Sequence, residues 1–285
     1  YMLGALRRVM REKADLVYIY KTTPISIVGL AAKLFHKTPV VLDMDDLGSE
    51  VMKIEGHPWH QTLLVEWCEA ITARCADRIV AASTYLRDIY AAKFPQKPIH
   101  IMPNGVDAAW LGGEAPSEAP KRIVFMGALN RQNILDPLFD AMPDILKRFP
   151  DAKALIIGDG TYLTFFKDKC AKLGISASID FTGWLKMEEA RARLRAGDIG
   201  YNYMPEAATT KAASNMKVPQ YMARGVVPLV SDVGDLARTV ENGRAGYIAK
   251  PDDVKELRAV LLKALGDKDR MDKSKQAVLK ASKAI

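Results

Sequence analysis

A short polar stretch in the last third of the chain offers several groups that suit a phosphate. Ser214, Asn215 and Lys217 stand at the start of an apolar stripe, and Gly225 follows it as a typical helix-ending residue. The first turn of a helix carries free backbone N–H groups and a partial positive charge, so a hydroxyl, an amide and an ammonium group there favour an anion. The same pattern is equally typical of an ordinary capped helix that leads into a buried strand.

A second polar stretch, Asp43-Met44-Asp45-Asp46, comes directly after an apolar run that predicts a strand. Carboxylates at such a place can accept a proton from a reacting hydroxyl group, so this acidic cluster is a candidate for acid or base chemistry. The alternative is an acid-rich loop that caps a helix.

Composition narrows the class of protein. The chain has 285 residues, and its three cysteines are widely spaced, which predicts reduced thiols and a cytoplasmic protein. No Cys-x-x-Cys pair or His-rich cluster indicates a metal site. The net charge of +7 is spread along the chain without an aromatic-rich basic block, which argues against nucleic acid. Weak contact with anionic lipid at the inner face of the membrane is a minor alternative.

Strand and helix patterns alternate twice along the chain. Residues 1–110 predict about four strands, residues 111–121 predict a linker rich in proline and small residues, and residues 122–285 predict about six strands. Such alternation requires parallel sheets with right-handed crossovers, and ligands then bind beyond the carboxyl ends of the strands. The charged tail from Asp267 is expected to fray.

Three segments in this order, residues 76–83, 101–107 and 213–230, together resemble glycosyltransferase family 4, the glycosyl transferases group 1 domain. The resemblance implies an α/β protein of the GT-B fold, with two Rossmann-like domains facing across a cleft. It assigns residues 1–110 to a partial acceptor-side domain and residues 122–285 to the domain that binds a nucleotide sugar. The first domain would lack its opening strands, so we expect an N-terminally truncated chain.

The resemblance also assigns roles to residues. Ser214, Asn215 and Lys217 would hold the diphosphate of the donor, and Gln220 would bind its ribose. Trp184 and Leu185 would flank the base. The expected donor-binding set is Gly127, Arg131, Gly158, Trp184, Leu185, Ser214, Asn215, Lys217 and Gln220.

This sequence departs from the family pattern at four positions. Gln220 replaces a glutamate, Ala212 replaces another, and Ala128 and Asn133 stand where the family often has arginine and lysine. Gln220 can still accept a hydrogen bond from a ribose hydroxyl group, but without the strength that a charge adds. These departures leave open a non-catalytic GT-B-like protein that binds a nucleotide sugar or a partner. A nucleotide-sugar epimerase would need more acid and base groups in the second half.

The function that the resemblance implies is transfer of a sugar, of the hexosyltransferase type, from a nucleotide sugar to a glycan or lipid-linked acceptor with retained anomeric configuration. The nucleotide sugar is a co-substrate, and no cofactor is expected. Asp43 and Asp45 look like the Asp-x-Asp metal motif of the other glycosyltransferase fold, GT-A. That motif belongs to a different architecture, so we expect no metal. Relatives often have a histidine or an aspartate at this strand end, and Asp45 matches that place best, so the resemblance makes Asp45 the candidate catalytic residue on the acceptor side.

Overall fold

The computed structural model describes residues 2–112, 121–130 and 135–283. The chain divides into two compact units, unit 1 with residues Tyr1–Asn104 and Ala207–Ser214, and unit 2 with residues Gly105–Glu206 and Asn215–Ile285. Most of the linker predicted at 111–121 lies outside the described residues, and the predicted domain boundaries stay a prediction.

Unit 1 alternates between helices and strands. Its elements up to Asn104 are α1 (Met2–Arg11), β1 (Val17–Tyr20), α2 (Ile27–His36), β2 (Val40–Met44), α3 (Gly48–Glu55), α4 (Trp59–Cys75), β3 (Arg78–Ala81), α5 (Thr84–Lys93) and β4 (Ile99–Ile101). The strands form a parallel sheet in the order β1-β2-β3-β4. This agrees with the four strands that the sequence predicts.

One face of the unit 1 sheet carries the core. Strand side chains from that face pack in a single cluster with residues of α2, α4 and α5, namely Ile19, Leu42 and Ile79 against Leu30, Ala73 and Leu86. The strand order runs in one direction, so right-handed crossovers place these helices on the same face. Helix α5 starts after Ser83, whose hydroxyl accepts a hydrogen bond from the Leu86 N–H at 3.2 Å.

Unit 2 is larger. Its elements, with one short helix of unit 1 between them, are β5 (Arg122–Met126), α6 (Asp136–Arg148), β6 (Lys153–Ile157), α7 (Leu163–Lys172), β7 (Ile179–Gly183), α8 (Met187–Arg193), β8 (Ile199–Asn202), α9 (Ala208–Ala212, in unit 1), α10 (Lys217–Ala223), β9 (Val227–Ser231), α11 (Leu236–Thr239), β10 (Tyr247–Ala249), α12 (Val254–Gly266) and α13 (Arg270–Ser282). The sheet is parallel, in the order β10-β9-β8-β5-β6-β7. Its two faces pack into separate apolar clusters, one with Phe125 and the other with Val124. The sheet is therefore covered on both faces, as parallel sheets require.

The tail corrects one prediction. The sequence from Asp267 is expected to fray, but α13 packs against α10 and buries Arg270, Ser274, Ala277 and Ala281. Small residues at helical spacing let the two helices approach closely. The Arg270 guanidinium donates to the Ala264 carbonyl at 2.6 Å, and the Ser274 hydroxyl donates to the Gly225 carbonyl at 2.5 Å. The prediction failed because, apart from Arg270, the charged residues of α13 lie partly or fully exposed while its small residues are buried.

Among the helices of the described ranges, none combines the length and the apolar character that a membrane-spanning segment needs.

Candidate functional site

Three glycine loops meet at the carboxyl ends of neighbouring strands in unit 2. Gly127 follows β5 and donates its N–H to the Ile157 carbonyl at 2.9 Å, while Gly158 follows β6 and donates to the Gly183 carbonyl at 3.0 Å. Gly158 has φ +142°, and a Cβ atom there would lie 1.9 Å from the Gly127 carbonyl oxygen. Only glycine allows this approach, so the predicted residues Gly127 and Gly158 form one backbone surface.

Tyr221 fixes α10 against the sheet. Its ring packs on β8, where a Cβ atom at Gly200 would lie 2.4 Å from the ring, and its hydroxyl accepts a hydrogen bond from the Met126 N–H at 2.8 Å. The hydroxyl is buried, and the hydrogen bond satisfies it at the end of β5. The start of α10 is therefore held beside the loop that follows β5.

Asn215 ties the start of α10 to β8. Its amide nitrogen donates to Asn202 Oδ1 at 3.0 Å, and its own Oδ1 accepts a hydrogen bond from the Lys217 N–H at 3.0 Å. Helix α10 begins at Lys217, and Met216 before it makes no side-chain cap bond, so the Asn215 side chain binds the first N–H of the helix from two positions away. Asn202 ends β8 and was not predicted as a site residue, although a buried asparagine in an apolar strand was the available signal.

The Lys217 side chain reaches the loop after β5. Its Nζ lies 4.9 Å from the centre of the Phe125 ring and 3.4 Å from the point that a Cβ atom on Gly127 would occupy. Burial lowers the pKa of Lys217 to about 8. Lys217 and Gly127 are 90 positions apart in sequence, and they meet at the edge of the sheet where ligands bind in this class of fold.

Three other predicted donor-binding residues of unit 2 lie on α10 or directly after β7. Gln220 lies on α10 and is 8% exposed, and within the described part of the chain its side-chain amide has no hydrogen-bond partner. Trp184 follows β7 and is 72% exposed, whereas Leu185 packs against the apolar cluster that contains Val124. Arg131 lies outside the described residues, as does Asn133.

In unit 1, several side chains hold Asp45. Tyr20 donates its hydroxyl to Asp45 Oδ2 at 3.1 Å, Asn104 donates its amide to Asp45 Oδ1 at 3.0 Å, and Lys21 Nζ lies 3.5 Å from Oδ2. Burial works to lower the pKa of Lys21, but Asp46 and Asp45 outweigh it and raise that pKa. The Asp45 side chain keeps only a small exposed fraction, in a fixed orientation.

Asn104 connects Asp45 to Ser214. The Asn104 N–H donates to the Ser214 hydroxyl oxygen at 2.8 Å, and its amide also donates to the Ser214 carbonyl at 3.0 Å. Ser214 therefore belongs to unit 1, and its hydroxyl keeps a hydrogen to donate. The sequence assigns Asn104 no role in a site, although it lies in the segment 101–107 that carries the resemblance. Its role was missed because its partners lie 59 and 110 positions away.

The acidic segment is engaged by other side chains. Asp43 accepts a hydrogen bond from the Tyr18 hydroxyl at 2.7 Å. Burial, and to a smaller extent the Asp43 carboxylate, raises the pKa of Tyr18 to about 12. In the ranges that the structure describes, no group of three or more His, Cys, Asp or Glu side chains is placed to hold a metal ion.

Both halves of the chain match family models. Residues 111–281 match the model of Glycosyl transferases group 1, and residues 1–110 match that of Glycosyltransferase Family 4.

Curated relatives are similar to this chain in sequence, and solved structures are similar to it in fold. The chain is 24% identical over 211 residues to the GDP-mannose-dependent alpha-(1-6)-phosphatidylinositol monomannoside mannosyltransferase of Mycolicibacterium smegmatis, covering 68% of this chain and 54% of that protein. It is 28% identical over 169 residues to the phosphatidyl-myo-inositol mannosyltransferase of Mycobacterium tuberculosis, covering 56% and 42%. The structure of Anabaena HepE with UDP and glucose superposes with a TM-score of 0.78 at 16% identity, over 99% of this chain and 77% of that one. The chain spans about half the length of the curated relatives that it matches.

Proposed function

Because the chain belongs to the glycosyl transferases group 1 family, we propose that it moves a sugar from a nucleotide-sugar donor to an acceptor. The predicted α/β fold with two Rossmann-like units, the GT-B class, is confirmed by the solved structures that share it. The observation that carries the proposed activity is the meeting of Lys217 with Gly127 at the end of β5. A cation beside an open backbone loop suits the diphosphate of such a donor.

The donor site that we propose stabilises the leaving group. Negative charge grows on the diphosphate as the bond to the sugar breaks, and a preorganised ammonium group in a partly desolvated place stabilises that charge. Lys217 supplies the ammonium, and Asn215 holds the backbone beside it. Ser214 lies in unit 1, and its part in binding the donor stays a prediction.

The nucleoside binds around this diphosphate. Gln220 accepts or donates a hydrogen bond at the ribose, which its unpartnered amide supports within the described residues. Trp184 stacks on the base, and such stacking contributes roughly 1–3 kcal/mol. Leu185 and the backbone of Gly158 complete the wall of the site, and Arg131 stays a prediction.

Asp45 acts on the acceptor in this proposal. Its carboxylate accepts the proton of the acceptor hydroxyl as that oxygen bonds to the sugar, and Tyr20, Lys21 and Asn104 hold it in position. The transfer retains the anomeric configuration. The proposed reaction uses no metal. It uses no cofactor either, since the nucleotide sugar is a co-substrate.

The transferred sugar in this proposal is a hexose. Two relatives are named as mannosyltransferases, one of them GDP-mannose-dependent, and a structural neighbour was solved with UDP and glucose. The base is therefore guanine or uracil, and a panel of donors is needed to choose between them.

The acceptor that we propose is a glycan or a lipid-linked sugar, used at the cytoplasmic face of a membrane. The two mannosyltransferase relatives carry phosphatidylinositol compounds in their names. Helix α4 has a ridge of exposed apolar side chains at helical spacing, Trp59, Leu63 and Trp67. Tryptophan rings suit a membrane interface, which supports peripheral contact. Co-sedimentation with anionic vesicles tests this, and equal binding by Trp59→Ala and Trp67→Ala variants would contradict it.

A donor panel tests the central proposal. In a panel of UDP-, GDP- and ADP-hexoses, we expect a UDP-hexose or a GDP-hexose to raise the melting temperature, since a ligand at 100 times its Kd adds about 2.7 kcal/mol of stability. No shift with any donor would refute a nucleotide-sugar site.

Gln220 separates the transferase from its alternative, a protein that binds the donor without transferring it. In a transferase, Gln220→Glu should tighten donor binding or raise donor hydrolysis, because a carboxylate makes the stronger hydrogen bond to ribose. A variant that binds donor as the parent does, with neither protein hydrolysing or transferring sugar, would favour the non-catalytic alternative.

A further inference from the structure

Unit 1 contains a cavity that has no part in the donor site. It has a volume of about 390 Å³ and lies among α3, α4, α5 and α9. This volume falls in the lower part of the range of small-molecule sites. Aromatic and carboxylate side chains line it, among them Tyr85, Tyr90, Phe94, Glu66 and Glu69.

Tyr90 lines the cavity and carries a hydroxyl group. Tyr90 is only 5% exposed, and within the described residues its hydroxyl has no hydrogen-bond partner. This oxygen is not among the unpartnered polar atoms that are sealed from solvent, and Tyr90 is one of the residues that line the cavity. A buried hydroxyl without a partner costs free energy unless a ligand or water supplies the hydrogen bond.

Glu69 gives the cavity a fixed acceptor. Its side chain is 8% exposed, and Oε1 accepts a hydrogen bond from the Ser49 N–H at 3.0 Å while Oε2 accepts one from the Ser49 hydroxyl at 2.7 Å. Each carboxylate oxygen keeps a further lone pair for a ligand. Burial raises the pKa of Glu69 despite these bonds, because desolvation disfavours the charged form.

Lysine side chains near the cavity partly balance its carboxylates, which favours a neutral ligand. Glu50 is paired with Lys53 at 2.7 Å, and the Lys93 ammonium lies 6.0 Å from the Tyr90 ring. These cations offset much of the negative charge around the cavity. The aromatic rings offer flat apolar surface on which the C–H face of a ring can pack.

We propose that this cavity binds a neutral ring with several hydroxyl groups, a sugar or a cyclic polyol, as part of the acceptor. Use as the acceptor site rests on the proposed function. It is supported by position, because Leu47 lines the cavity directly after the acidic segment. Glu69 Oε1 and Asp46 Oδ1 both lie within 3.8 Å of the point that a Cβ atom on Gly48 would occupy.

Ligand-observed saturation-transfer NMR on the whole chain, without donor, tests the site. The probes are myo-inositol, methyl α-D-mannopyranoside and, as a cation of similar size, spermidine. We expect at least one of the two polyols to bind. Tyr90→Phe should weaken it roughly fivefold, which corresponds to about 1 kcal/mol for one hydrogen bond. The melting temperature should not change, because the lost hydroxyl has no protein partner in the described residues.

Tyr162→Phe is the matched control, since this tyrosine lies in unit 2 and its hydroxyl also lacks a partner among the described residues. It should bind the polyol as the parent does. Binding of neither polyol, equal binding by Tyr90→Phe, or binding of spermidine alone would overturn the proposal. If a polyol binds but no nucleotide sugar does, the polyol site is supported and its use as an acceptor site is refuted.

Discussion

Lys217 should make donor affinity depend on pH. Its pKa in the free protein is about 8, so about nine-tenths of the molecules carry the ammonium at pH 7 and about one-tenth at pH 9. A diphosphate that needs this charge raises the pKa of Lys217 when it binds. Affinity is then full below pH 8 and falls above it, by roughly tenfold between pH 7 and 9, or about 1.4 kcal/mol.

The assay is calorimetric titration of the best donor at pH 7, 8 and 9 and constant ionic strength. Lys217→Arg is the matched control, because a guanidinium stays charged throughout and any ionisation of the base affects both proteins alike. Its affinity should change little with pH, and Lys217→Met should bind weakly at every pH. The reasoning is refuted if the parent and Lys217→Arg share one pH profile, or if the parent binds more tightly as pH rises.

The same residue should reduce stability in the free protein. The folded-state pKa lies below that of the unfolded chain, so unfolded molecules bind more protons between about pH 8 and 10.5, and stability rises with pH through that window. Below pH 8 the cost of the buried charge is fully present. Lys217→Met should therefore raise the free energy of unfolding at pH 7, by up to about 3 kcal/mol, in urea titrations. A destabilised variant would contradict this assignment.

Three further changes test the packing and the positioning of the site. Gly158→Ala should cost more than about 3 kcal/mol, since its Cβ would lie 1.9 Å from a backbone oxygen, whereas Gly174→Ala, with φ +68° and open space, should cost only about 1 kcal/mol; urea unfolding that gives equal costs would contradict the glycine packing. Tyr221→Phe should lose about 1–3 kcal/mol because the buried Met126 N–H loses its acceptor, and a neutral result would show that α10 is held by other contacts. Asn104→Ala should lower kcat roughly 10- to 100-fold with little change in the KM for donor, because it frees Asp45 while the backbone N–H at position 104 still binds the Ser214 hydroxyl; a change in donor KM alone would rule out a positioning role.

The fold was predictable because local patterns fix most element ends. The cap at Ser83 and the left-handed residue Gly225, at φ +71°, follow from residue type alone, and both hold in the structure. The prediction that the tail frays was wrong because its charged composition hides the spacing of the small residues that α13 buries.

The site was predictable only where a motif lies within one segment. Asn215 and Lys217 stand together in the sequence, and the contact of Lys217 with Gly127 agrees with the topology expected of parallel strands. Asn104, by contrast, joins Asp45 and Ser214 across long stretches of chain, and the cavity at Tyr90 depends on helix packing. Neither leaves a local pattern, because a single polar residue looks the same in a turn as in a site.

A crystal structure with UDP or GDP bound would test the central claim most directly. The account predicts a phosphate oxygen within hydrogen-bond distance of Lys217 Nζ, about 2.7–3.2 Å, with the diphosphate against the backbone of Gly127. A diphosphate bound elsewhere on the chain, with Lys217 still packed over the Phe125 ring and no contact to phosphate, would contradict it.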